Sequence, residues 1–108
     1  MNTRKIGNKA EDRACEYLQN KGYEIIERNF YSKFGEIDII AYKDGVFHFV
    51  EVKSGTSFEP VYNITPAKIK RIVKTAQYYI KLNKIDPVFC IDAVIVKDGI
   101  EHLVNISF

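Results

Sequence analysis

Residues 35–53 read GEIDIIAYKDGVFHFVEVK, and the interpretation of the whole chain turns on them. Two runs rich in β-branched and aromatic residues, Gly35 to Tyr42 and Val46 to Lys53, are joined by Lys43-Asp44-Gly45. Asp-Gly between such runs is among the strongest short hairpin signals, because both central residues of the favoured turn need positive φ. If Asp44-Gly45 is a two-residue turn, Lys43 faces Val46. The register then carries down to Asp38 facing Glu51 and Glu36 facing Lys53.

Facing Cβ atoms of an antiparallel pair lie about 4.5–5.5 Å apart. Two ionised carboxylates at that separation repel by about 3 kcal/mol at an effective dielectric near 20. Either one of them stays protonated or a cation sits between them. Hard oxygen donors of this kind select Mg²⁺ or Mn²⁺, and the Val52 carbonyl between Glu51 and Lys53 is a further candidate ligand. The opposite side of the hairpin (Ile37, Ile39, Ala41, Val50, Val52) is apolar, which predicts an interior hairpin with its charges gathered at one end. The alternative is a surface feature, with Glu36 and Lys53 as a cross-strand ion pair beside a carboxyl pair at a wet edge. A three-residue turn would shift the register and part Asp38 from Glu51.

Outward from the hairpin the pattern changes period. Residues 4–21 predict an amphipathic helix with Ile6, Ala10, Ala14, Tyr17 and Leu18 on one face and Gly22 as its left-handed cap. Tyr23 to Phe30 predicts a strand. After a loop over residues 54–64, Thr65-Pro66 opens a second helix as N-cap and first-turn proline. Ile69, Ile72, Val73, Ala76, Tyr79 and Ile80 form its stripe, and Asp86-Pro87 breaks it. Val88 to Val96 and Ile100 to Ile106 predict two closing strands around a tight Asp98-Gly99 turn. The order αβββαββ implies an α/β (mixed α+β) fold, one mixed sheet flanked by two helices.

Glu11 falls inside the apolar half of the first helix, whereas Asp12 and Glu16 point outward. An inward carboxylate costs free energy unless something receives it. Two destinations are open: the cation of the hairpin, or water at the sector boundary.

The 108 residues fit a single domain, 1–108, with ordinary apolar and charged fractions. A net charge of +2 does not by itself announce a nucleic-acid binder. Basic residues do gather on the second helix, at Lys68, Lys70, Arg71, Lys74, Lys81 and Lys84, opposite the apolar stripe. They read either as phosphate contacts or as a solvated face. Phe58 and Tyr62 could stack on bases or anchor their loop. Cys15 and Cys90 are the only cysteines and have no CxxC spacing, which argues against a disulfide framework and against a zinc site built on the cysteines. His48 and His102 alternate within strand patterns and read as structural. With no long apolar run and no signal-like N-terminus, the expected location is the cytoplasm, with no membrane partner.

Asp38 followed by Glu51-Val52-Lys53 on the next strand resembles the active-site motif of restriction-endonuclease-like nucleases. More narrowly, GEIDII, FVEVK, the upstream Gly7-x-x-Ala-Glu11 and Asn29 resemble the YraN family of small bacterial proteins related to archaeal-type Holliday-junction resolvases. The resemblance covers nearly the whole chain and implies a restriction-endonuclease-like core. It further implies a metal-dependent endonuclease using Mg²⁺ or Mn²⁺ on nucleic acid, with DNA, including branched DNA, as the expected partner. Asp38 and Glu51 would be metal ligands, Lys53 would orient or activate water, and Glu11 would assist through the metal's inner or outer shell. A homodimer is implied by the related resolvases. The chain departs from the family pattern at Gly55, where many relatives carry an arginine, and so lacks that expected phosphate contact. Competing readings are a non-catalytic nucleic-acid-binding protein that retains the fold, and an interaction module whose acidic pair holds a structural ion.

Overall fold

The computed structural model describes the backbone of residues 4–55, 64–85 and 88–106, and side chains from Lys9 onward within them. The expected roles of the Ile6 side chain, Phe58, Tyr62 and Asp86-Pro87 fall outside that set. Helix α1 (Arg4–Asn20) is followed by strands β1 (Glu24–Ser32), β2 (Gly35–Lys43) and β3 (Val46–Ser54). Helix α2 (Pro66–Asn83) then leads to β4 (Phe89–Val96) and β5 (Ile100–Leu103). The five strands form one sheet in the order β1-β2-β3-β4-β5. All neighbours are antiparallel except β3 and β4, and α2 is the crossover that this parallel pair requires.

The turn chemistry acts as the sequence dictates. Asp44 and Gly45 both take positive φ, 52° and 83°, and the ladder runs from Lys43↔Val46 to Ile39↔Val50. Gly22, at φ 93°, closes α1 while the Tyr23 N–H returns 2.9 Å to the Leu18 carbonyl. Thr65 caps α2, its hydroxyl accepting from the Lys68 N–H at 3.2 Å. Asp98-Gly99 behaves differently. Neither residue takes positive φ, so no two-residue turn forms, and Val96 pairs with Ile100 across a three-residue connection. The last strand also stops at Leu103 rather than Ile106, because Asn105 turns left-handed at φ 57°.

Each helix covers one face of the sheet. Ala14, Cys15 and Leu18 of α1 pack on Ile39, Ala41, Val50, Val94 and Val96. On the other face Ile72, Ala76 and Tyr79 of α2 pack on Ile37, Ile40, Phe49 and Ile91. The hairpin is therefore interior, as its composition predicted. Ile37 is the exception to the expected facing: it lies under α2, whereas Ile39 lies under α1. A regular strand would put both on one face. Between them the β1–β2 ladder skips Asn29 and Asp38, and Asn29 is left-handed at φ 56°. The change of face coincides with that gap, while β1 and β2 stay paired to Ser32↔Gly35; it is the β2–β3 ladder, ending at Ile39↔Val50, that opens at Asp38.

In β4, Asp92 is fully buried and its carboxylate accepts from His48, His102, Cys90 and the Asn105 N–H. Burial works to raise its pKa, but the hydrogen bonds from His102, His48 and Asn105 prevail and hold it well below the usual carboxylate range. Among the described residues, no helix is long and apolar enough to cross a membrane.

Candidate active site

Asp38 stands where β2 and β3 part. The cross-strand ladder ends one residue earlier, and the Val52 N–H donates to Asp38 Oδ2 at 2.8 Å instead. The Asp38 and Glu51 carboxyls meet in a side-chain hydrogen bond, so the expected facing pair is in contact. Burial first, then the charge of Glu51 and that hydrogen bond, with a contribution from Glu11, push Asp38 up to about 8 against the Val52 N–H. At neutral pH the pair therefore holds a proton in the absence of a cation.

Lys53 Nζ lies 3.2 Å from Glu51 Oε2. The ion pair at this end of the hairpin is thus Lys53 with Glu51; the alternative pairing with Glu36 gives way because the strands have already separated, and Glu36 is exposed. Burial is the largest single influence and works to lower Lys53, but the charge of Glu51, the hydrogen bonds with Lys68 and Glu51 and the charge of Asp38 together outweigh it and hold the ammonium above its ordinary value. Lys68 reaches in from α2, where its hydrogen bond to Lys53 and the charge of Lys53 push it down.

Glu11 is buried, and its partner is neither bulk water nor an orphaned position. Glu11 Oε1 accepts from Arg28 Nη2 at 3.2 Å and from Asn29 Nδ2 at 3.0 Å, while Arg28 Nη1 binds Asp12 Oδ1 at 2.8 Å. The left-handed Asn29 at the gap in the β1–β2 ladder thus also fixes the helix-borne carboxylate.

These groups line one open cleft of about 410 Å³. Glu11 and Ala10 come from α1, Gly35, Glu36 and Asp38 from β2, residues 51–54 from β3, and Lys68, Arg71 and Ile72 from α2. The structure brings together Glu11, Asp38, Glu51, Val52 and Lys53, with Lys68 and Arg71 on the facing wall. Lys68 is therefore a cleft residue, not one pointing away from the core. Lys70 and Lys74 lie outside the lining and are exposed, with Lys74 Nζ 5.9 Å from the centre of the Phe34 ring. The part of Arg28 was not visible from the sequence, because it depends on two contacts across 16 and 17 positions. The donor set of Asp38 and Glu51, two carboxyl groups on one cleft, fits a hard divalent cation.

A mixed sheet with one helix on each face, and an acidic cleft where two central strands part, is consistent with a restriction-endonuclease-like core. Residues 10–96 match the family described as "Uncharacterised protein family UPF0102". A UPF0102 protein of Wolinella succinogenes is 59% identical over 106 residues, which is 97% of this chain and 98% of that one. A UPF0102 protein of Helicobacter hepaticus is 57% identical over 92% of this chain and 90% of its own. One of Helicobacter pylori HPAG1 is 57% identical over 94% and 90%. The chain belongs to the UPF0102, or YraN, family.

Proposed function

We propose that this protein is a metal-dependent endonuclease that hydrolyses phosphodiester bonds of DNA. The observation that carries this reading is the Asp38–Glu51 pair, two like carboxyls pressed together in a cleft with Lys53 on one of them and Lys68 and Arg71 opposite. A Mg²⁺ or Mn²⁺ ion held by Asp38, Glu51 and the Val52 carbonyl would supply charge neutralisation at the phosphate and a more acidic water. Lys53, held by Glu51, stays cationic and donates to the attacking water or a non-bridging oxygen. Lys68 and Arg71 bind flanking phosphates from the other wall. Glu11, pinned by Arg28 and Asn29, adds a third acceptor that can hold an outer water.

The family's relation to junction resolvases makes branched DNA a substrate to place beside linear DNA, and two copies acting together would cut both strands. The test is a panel of linear, nicked and four-way DNA titrated with Mg²⁺ and Mn²⁺. Metal-dependent cleavage that is lost in Asp38→Asn supports the proposal. Tight binding without cleavage of any form would make this a nucleic-acid-binding protein that keeps the nuclease fold.

A further inference from the structure

On the α1 face of the sheet, away from the acidic cleft, three ligating groups from two strands, His48, Cys90 and Asp92, converge on one buried point, and His102 binds the aspartate from a third strand. His48 Nδ1 and His102 Nε2 each lie 2.8 Å from Asp92 Oδ2. Cys90 Sγ lies 3.1 Å from His48 Nδ1 and 3.2 Å from Asp92 Oδ1. The sequence spacing argued against a zinc site made of cysteines, and none is made. What the fold assembles is one cysteine with one histidine and an aspartate, spread over 45 positions of the chain, and a second histidine that holds the aspartate.

We propose that His48, Cys90 and Asp92 are the three protein ligands of a four-coordinate site for a thiophilic divalent ion of the Zn²⁺ type, with His102 fixing the aspartate and water completing the set. The donor chemistry is the first argument. A thiolate, an imidazole nitrogen and a carboxylate oxygen, with water in the fourth position, make a tetrahedral zinc set, whereas Mg²⁺ would need oxygens. Size is the second. Zinc–ligand bonds of about 2.0–2.3 Å at tetrahedral angles set ligand atoms about 3.3–3.6 Å apart, so the separations among His48, Cys90 and Asp92, 2.8, 3.1 and 3.2 Å, need open by only a few tenths of an ångström.

Charge is the third argument. Asp92 is fully buried among hydrogen-bond donors, and a buried carboxylate is costly without a cation to pair with it. The rings are already held in place. Tyr23 sets its edge against His48 and His102 with centroids at 4.9 and 5.7 Å, and Tyr17 packs on His102 at 5.7 Å.

The proton balance is simple. Cys90 loses its thiol proton to solvent on binding, and the His48 imidazole carries its proton on Nε2, away from the ion. With Asp92 and His48 sealed from water, the ion enters as the chain folds or opens locally.

The test replaces any bound metal with Co²⁺ in the full-length protein. A tetrahedral site gives intense visible ligand-field bands and a near-ultraviolet thiolate-to-cobalt charge-transfer band, at one ion per chain, and stoichiometric Zn²⁺ abolishes both. Cys15→Ser leaves Cys90 as the sole thiol, so a charge-transfer band that persists in this variant comes from Cys90. An ion at Asp38 and Glu51 has only oxygen ligands and gives no such band, which separates this site from the proposed nuclease centre. Loss of the band in Cys90→Ser completes the assignment. Absence of a charge-transfer band in the wild-type protein, or its loss in a folded Cys15→Ser, overturns the proposal; the four side chains are then a hydrogen-bonded network alone.

Discussion

Replacing Asp38 with asparagine separates the electrostatic cost of the acidic pair from everything else in the cleft. Asparagine keeps an oxygen to accept the Val52 N–H, which Asp38 takes at 2.8 Å, and offers Glu51 an amide donor in place of a like charge. The folded Asp38 is pushed up to about 8 from 3.8, chiefly by burial and then by Glu51. A carboxyl whose pKa rises on folding stabilises the protein below its unfolded pKa, and that contribution is lost as pH climbs through the folded value. Metal-free wild-type protein should therefore lose stability between about pH 4 and pH 8, where Asp38→Asn should not.

The repulsion alone is worth about 3 kcal/mol at about 5 Å and a dielectric near 20. In a domain of this size that corresponds to a Tm difference on the order of 10 °C. The assay is thermal melting with a chelator present, from about pH 5 to about pH 9, on both proteins. The gap between them should widen steadily in favour of Asp38→Asn as pH rises. Melting curves that stay parallel across the range would refute the upward shift of Asp38.

Millimolar Mg²⁺ or Mn²⁺ should raise the wild-type Tm at neutral pH, release close to one proton per ion on binding, and do neither in Asp38→Asn; calorimetry in two buffers of different ionisation enthalpy reads the proton. Reversing Lys68 and Arg71 to glutamate should weaken DNA binding and lower its salt slope by roughly one per lost phosphate contact. The same reversal at Lys70 and Lys74, which lie outside the cleft, should cost less; equal effects in filter binding would contradict the assignment of the wall. Thr65→Ala should remove the α2 cap at a cost of about 1 kcal/mol, measured by urea unfolding, without changing metal binding.

The hairpin was legible because its turn is local chemistry. Asp44 and Gly45 can both take positive φ, and once they do the register down to Ile39 and Val50 follows. The same reasoning failed at Asp98-Gly99, where the dipeptide is present but the backbone adopts another connection. Facing was read correctly for Ile39, Ala41 and Val50 and incorrectly for Ile37, because the alternation breaks beside a left-handed Asn29 on the neighbouring strand. No period in β2 itself records that break. The acidic pair was visible from register alone, and so was the inward direction of Glu11. Its capture by Arg28 and Asn29 was not, since it depends on how α1 crosses β1. The convergence of His48, Cys90, Asp92 and His102 was hidden for the same reason: Cys90 and Asp92 share a strand, but parallel pairing and the last hairpin bring the histidines to them.

Cleavage by the Lys53→Ala variant is the most direct measurement of the central claim. Lys53 is not a metal ligand in this account, so stabilisation by Mg²⁺ should persist in the variant. What is lost is a cation 3.2 Å from Glu51 beside the scissile phosphate, an interaction that strengthens as charge develops in the transition state. Single-turnover cleavage of the best DNA form should fall roughly 10²-fold or more while DNA affinity changes much less. Wild-type protein that binds these DNAs yet cuts none of them with Mg²⁺ or Mn²⁺, or cleavage that is untouched by Lys53→Ala, would contradict it.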